Sequence, residues 1–380
     1  MNTIYLDHNA ATGLRPEAMD ALIAALRETG NPSSPHHIGR RALRRLEADR
    51  AAVARLFHAG TVLFTSGGTE ACNLAVRGIL RAKCHGKRGK ILVSAAEHAA
   101  VLEPALDLLD PDAVDVRTIP LRSDGSVDLS TLDAWCDPET NLVAVQWVSH
   151  ETGVVQPVSE IAAICAERKI PLHSDAVAAV GKLPVGFLPE FAGVTTISIS
   201  AHKFGGPCGV GALLLRKTPE ETPIRPLFHG GPQEFSMRAG TPPVALIAAM
   251  RVAIELAFDE QKLLFQKMVR LRDRFEWGIR HGIPSAMVIA ANSVRVPYTS
   301  AIAFPGWDSR TLVRRFDDVG VCCATGSACS SDSDDPSPVL RAMRLPPEIV
   351  NATVRFSFSA ALGDDEIDEA VRRIVNVVSR

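Results

Sequence analysis

Between about residues 60 and 215, short apolar runs alternate with stretches of helical period. The runs cover 61–65, 91–94, 142–148, 170–173, 195–198 and 211–215. They are apolar at successive positions, so as strands they need cover on both faces. Residues 159–168, opening on Ser159, read as a capped amphipathic helix between two of them. This alternation predicts an α/β fold with a mostly parallel central sheet covered by helices. In such sheets ligands bind beyond the carboxyl ends of the strands. Thr65, His98, His150, Asp175 and Lys203 all follow predicted strands closely.

The pattern changes after about residue 250. A long helical stretch, 258–282, follows Pro242 and Pro243. A strand (299–304), a helix (309–319), a Ser/Asp-rich loop (327–337), a strand (353–357) and a last helix (364–378) come next. This reads as a smaller α+β domain.

The chain has 380 residues, 46% of them hydrophobic, and a formal net charge of −2. That length allows a large core and two domains. The charge balance gives no reason to expect nucleic acid or an anionic membrane as a direct partner. No apolar run reaches membrane-spanning length and the N-terminus lacks a signal-peptide pattern, so a cytoplasmic protein is expected. None of the eight cysteines sits in a C-x-x-C or zinc-like spacing, so no metal is expected. Cys72 and Cys165 fall in helical patterns and should be core.

Candidate chemistry centres on Ser200-Ala-His202-Lys203 before a Gly-rich turn, and on Asp175 earlier in the chain. An amine able to form a Schiff base and a carboxylate able to pair with a pyridinium nitrogen are what pyridoxal phosphate (PLP) asks of a protein. Taken alone, Lys203 reads as a loop lysine and Asp175 as a cap. Gly68 and Thr69, in Thr65-Ser-Gly-Gly-Thr-Glu70, open a helix where backbone N–H groups can hold a phosphate, or form a Gly-rich turn with Thr69 as a helix cap. His98 can stack on a planar cofactor and move protons, or simply cap the next helix. Cys329 stands in a polar loop of small residues, where a thiol can be exposed. Its neighbours Asp332, Asp334 and Asp335 oppose thiolate formation, so activation has to come from elsewhere. Arg355, a charge inside a predicted strand, suits either a substrate carboxylate or an internal ion pair.

These residues in this order resemble the cysteine desulfurases of the NifS/IscS type, within the class V aminotransferase-like PLP enzymes. The likeness runs nearly end to end, through Tyr5 to Ala10, Gly30 to Ser34, Thr65 to Glu70, Glu97-His98, Glu151 to Gln156, Asp175-Ala176, Gly181 to Pro184, Ser200 to Lys203, Arg238 to Thr241 and Gly326 to Cys329. It implies the type I fold of PLP-dependent transferases, with a large PLP-binding domain over 13–255. A small domain would combine 1–12 with 256–380. Lys203 would hold the cofactor covalently and move the Cα proton, with His98 stacking on the ring as acid and base. Asp175 would pair with the pyridine nitrogen. Gly68, Thr69, Ser200 and His202 would hold the phosphate, joined by Thr241 from the second subunit of a homodimer. Asn9 and Arg355 would grip the carboxylate of L-cysteine. Cys329 would take its sulfur as a persulfide for an acceptor protein, releasing alanine. The spacing from Cys329 to Pro336 resembles the longer cysteine loop of the iron–sulfur-assembly type.

Two positions depart from the family pattern. His150 stands where the family usually has asparagine, and Ala178 where it has glutamine. Both amides approach the phenolic oxygen of the cofactor in the family. The expectation is compensation, with His150 donating there and Ala178 making room. The alternative is a C–S lyase on the same scaffold, with Cys329 idle.

Overall fold

The structure, a computed structural model, describes residues 2–84, 89–107, 114–183, 193–326 and 336–379. Its strands are β1 (Ile4–Tyr5), β2 (Thr61–Thr65), β3 (Gly89–Ser94), β4 (Val114–Ile119), β5 (Thr140–Ala144), β6 (Leu172–Asp175), β7 (Thr196–Ser200), β8 (Gly211–Leu215), β9 (Met287–Val288), β10 (Thr299–Ala303), β11 (Val321–Cys322) and β12 (Thr353–Ser357). β2 to β8 form one seven-stranded sheet in the order β2-β8-β7-β6-β5-β3-β4. The pairings from β4 across to β7 are parallel. β8 runs antiparallel to both β2 and β7. Every residue of β2, β3, β6, β7 and β8 is buried, as continuous apolar runs require.

The sequence pattern and the structure differ in several places, three of which bear on the site and its frame. β4 was not anticipated: it is an edge strand whose Val-Asp-Val-Arg alternation leaves half of it solvated. The run 142–148 yields a strand ending at Ala144, after which the chain turns toward His150. The helical stretch 258–282 is divided between helices Val244–Asp259 and Gln261–Gly282. Glu260 at their junction accepts from Arg15 at 2.8 Å. Cys72 and Cys165 are fully buried, as their helical patterns imply. No described helix is long and apolar enough to cross a membrane.

Three apolar clusters fill the molecule. One of them joins Ile4 and Leu6 to Phe275, Phe316, Phe356 and Ile374. The N-terminal strand therefore lies among residues from the far end of the chain. Leu6 O accepts from Ser357 N at 2.7 Å, and Asn9 N donates to Ser357 Oγ at 2.8 Å. These bonds thread residues 6–9 along β12 and deliver Asn9 to the carboxyl ends of the large sheet.

Candidate active site

A cavity of about 170 Å³ opens there, with Gly68 and Thr69 at one side and Asn9 and Arg355 also in its wall. His98, His150, Asp175, Ala178, His202 and Lys203 line it too. Segments far apart in sequence converge because Gly68, His98, Asp175 and Lys203 lie at or just after strand ends of the seven-stranded sheet, while Arg355 lies on β12 and Asn9 is tied to it.

Asp175 is the last residue of β6 and is buried. Its Oδ1 accepts from Val177 N at 2.9 Å and from Ser198 Oγ at 3.0 Å. It is thus both a turn cap and a cavity carboxylate. His98 likewise does two jobs. Its Nδ1 accepts from Ala100 N at 3.0 Å, capping helix Ala99–Leu106, while the ring faces the cavity. Nδ1 being an acceptor puts the proton of the neutral ring on Nε2. Burial lowers the His98 pKa, as does Lys203, while Asp175 pulls it up.

The Lys203 ammonium donates to the carbonyl of Asn9 and, at 3.0 Å, to that of Ala10. Next to it, His202 shares a 3.1 Å hydrogen bond with Ser200 Oγ. Burial, with Lys203 and Lys182 nearby, brings the His202 pKa down to about 4, so the imidazole is neutral near pH 7. Gly68 begins helix Gly68–Cys84, whose first N–H groups have no intrahelical acceptor. A Cβ on Gly68 would stand 2.8 Å from Val177 Cγ2 and 3.4 Å from Ser200 Cβ. Only glycine leaves this approach open.

His150 and Ala178 share the cavity wall. The His150 ring meets His98 edge-on, with centroids 5.1 Å apart. Its Nδ1 lies 3.3 Å from Gln146 Oε1. The Gln146 amide nitrogen donates to Ala96 O, which turns the oxygen toward His150 and makes Nδ1 the donor. His150 Nε2 is 3.7 Å from Glu151 Oε1. Burial holds the His150 pKa well below the usual histidine range, helped by His98, Arg355 and Lys203.

Of the two sequence-based expectations for Arg355, the structure shows the internal ion pair. Arg355 pairs with Asp7 at 2.8 Å and also lines the cavity. Its Nε is buried without a hydrogen-bond partner among the described residues. Asn9 has its side chain engaged: Nδ2 donates to Thr299 Oγ1 at 2.8 Å and to His150 O at 3.2 Å, and Oδ1 accepts from Lys182 at 2.7 Å. Lys182 and Gln146 are site residues that sequence reasoning missed. Lys182 lay inside the quoted motif at Gly181, so the signal was present but carried no assigned role.

Thr241 is not in this cavity. It is exposed and lines a separate cleft with Gly30, Pro32, Arg41 and Arg45. Cys329 lies outside the described residues. The flanks of its segment reach the cavity's neighbourhood. Ala324 exchanges backbone hydrogen bonds of 2.7 and 3.1 Å with Arg355, and Ser337 Oγ donates to Glu151 at 2.5 Å.

Three cations, Lys182, Lys203 and Arg355, face the cavity against one carboxylate, Asp175. The excess favours a ligand carrying negative charge at more than one point. PLP fits the residues present: a glycine-opened helix N-terminus for phosphate, a lysine, a buried carboxylate and an imidazole face.

The comparisons with known proteins agree. The aminotransferase class-V family model matches residues 4–370. A cysteine desulfurase of Cereibacter sphaeroides is 40% identical, covering 100% of this chain and 97% of its own. An IscS-like cysteine desulfurase of Mycobacterium tuberculosis is 36% identical, covering 99% and 96%. A solved NifS-like protein superposes with a TM-score of 0.90 at 30% identity, over 99% of each chain. The chain belongs to the class-V aminotransferases and, among them, to the PLP-dependent cysteine desulfurases.

Proposed function

We propose that this cavity is where L-cysteine gives up its sulfur, with residue roles as follows. Gly68, Thr69, Ser200 and His202 hold the cofactor phosphate, Asp175 faces the pyridine nitrogen, and Lys203 anchors the cofactor and moves the Cα proton. PLP supplies an electron sink for charge developing on the substrate. His98, with its proton on Nε2 and its pKa lowered, serves as acid and base at the cavity wall. Arg355, supported by Asn9, receives the substrate carboxylate. Neutral His150 spends its one N–H on Gln146, so it does not replace the family amides as a donor toward the cofactor; it offers an unprotonated Nε2 beside the space that Ala178 leaves. Cys329 is the sulfur acceptor. In balance, L-cysteine and the Cys329 thiol give L-alanine and a Cys329 persulfide: one C–S bond breaks and one S–S bond forms. The persulfide then passes to an acceptor protein.

The single observation behind this reading is the convergence of Lys203, Asp175, His98 and the Gly68 cradle on one cationic cavity. The homodimer belongs to the same proposal. Thr241 is offered outward beside exposed Leu26, while Leu43 and Phe235 line the adjoining groove. An apolar rim around an outward threonine suits a second copy that takes Thr241 into its own phosphate site. Alanine formed from L-cysteine by wild type and not by Cys329→Ser tests the central step. Pyruvate instead of alanine would favour the lyase.

A further inference from the structure

Lys182 follows the turn after Asp175, where Gly181 takes a φ of +75°. The residue is only 6% exposed, and its ammonium lines the cavity. Its acceptor among the described residues is Asn9 Oδ1, at 2.7 Å. An ammonium has three N–H donors and a full charge, and a neutral amide oxygen satisfies neither demand alone. No described carboxylate pairs with it; the charged groups acting on it are Lys203 and Arg355. A buried cation set among cations calls for an anionic ligand.

Its bonding connects it to one end of the cavity. Asn9, which holds Lys182, donates to His150 O, and Arg355 Nη1 points at the same carbonyl from 3.4 Å. Lys182, Asn9, the His150 carbonyl and Arg355 thus form a continuous wall. Both hydrogens of the Asn9 amide are already engaged with Thr299 and His150. Asn9 is therefore better placed to aim Lys182 than to donate to a ligand itself.

We propose that Lys182 is a second cationic ligand of the substrate carboxylate, acting with Arg355 and positioned by Asn9. The assignment rests on the reading of this cavity as the substrate site. A carboxylate bound between the two cations would take the donors that the protein leaves over.

One consequence concerns pH. Burial, then Lys203 and Arg355, bring the Lys182 pKa down to about 7. The other titratable groups in or beside the cavity are His8, His98, His150, His202, Asp7 and Asp175. A bound carboxylate favours protonated Lys182 and raises its pKa. Wherever free Lys182 is unprotonated, binding therefore takes up a proton, and affinity falls as pH rises through the free-state pKa.

The test compares L-alanine with ethylamine, its analogue without the carboxylate, on holoenzyme. Binding is followed through the cofactor's absorption and, in parallel, by calorimetry in buffers of different ionisation heat. Lys182→Met should weaken L-alanine about 10- to 100-fold, the loss of a charge-assisted hydrogen bond. Ethylamine should be unchanged. Lys182→Arg should keep most of the preference for alanine, and the extra proton uptake with alanine relative to ethylamine should vanish in Lys182→Met. Equal weakening of both ligands, or loss of cofactor without a change in preference, would overturn the assignment. If Arg355→Lys weakens alanine and Lys182→Met does not, the cavity reading stands and Lys182 falls out of it. If neither variant alters the preference, the cavity reading fails as well.

Discussion

Removing the Glu234 carboxylate should unfasten the face that carries Thr241. Glu234, Phe235 and Ser236 are consecutive non-glycine residues with φ of 45°, 57° and 62°. Left-handed backbone costs about 1–2 kcal/mol per such residue, so something must hold the turn. Glu234 supplies it: the buried carboxylate accepts from Arg50 Nη1 and Nη2 at 2.7 and 2.8 Å and from Phe64 N at 2.8 Å. Arg50 lies against the Phe64 and Phe235 rings, at 4.9 and 5.2 Å from their centroids. Glu234→Ala would leave a buried guanidinium with only the half-exposed Glu47, at 3.2 Å, as an anionic partner. Breaking a buried pair from one side costs about 3–5 kcal/mol, and the orphaned Phe64 N–H adds about 1–3 kcal/mol. Retention of Glu47 argues for a total near 4 kcal/mol. In urea unfolding of the holoenzyme this lowers the midpoint by about 1 M or more, taking m of about 3 kcal/mol/M. Arg50→Met/Glu234→Leu should recover the ion-pair part but not the Phe64 N–H part. A Glu234→Ala loss under about 1 kcal/mol, or a double variant no better than the single one, would refute the reasoning.

Two further outcomes are expected. Burial brings the fully enclosed His173 to a pKa of about 4, below the unfolded value of about 6.5. Between these values the unfolded chain binds more protons, so stability is present above pH 6.5 and lost as pH falls toward 4. His173→Asn, which can keep the 3.0 Å contact with Thr196, should make the pH dependence of urea unfolding in that window shallower by about 1.4 kcal/mol per pH unit; an unchanged slope would contradict the assignment. Gly68→Ala places a methyl 2.8 Å from Val177 Cγ2, and should weaken cofactor retention about tenfold or more in dialysis followed by absorbance. Gly68→Ala/Val177→Ala should regain part of it, and full retention in the single variant would remove the cradle from the phosphate site.

Much of the fold was legible because buried parallel strands write themselves as unbroken apolar runs. β4 escaped because an edge strand is half solvated and its charges break the run. The split at Glu260 escaped because no glycine or proline marks it; Glu260 at the junction pairs with Arg15, a contact that the sequence does not display. At the site, the groups standing just after strands could be found from their position alone. Lys182 and Gln146 could not. Their importance lies in what faces them: a neutral Asn9 oxygen for the lysine, and the His150 ring for the glutamine. The double duty of His98 and Asp175 was also hidden. Capping and cavity lining looked like alternatives in the sequence, and in the structure one geometry does both.

The most direct measurement is a single turnover without acceptor or added reductant. One equivalent of L-cysteine is given to wild-type and Cys329→Ser holoenzyme, alanine and pyruvate are quantified, and the Cys329 peptide is weighed. The account predicts a burst of about one alanine per active site, with one extra sulfur on the Cys329 peptide, and no burst in the variant. Alanine released equally by Cys329→Ser, or pyruvate in place of alanine, would contradict it.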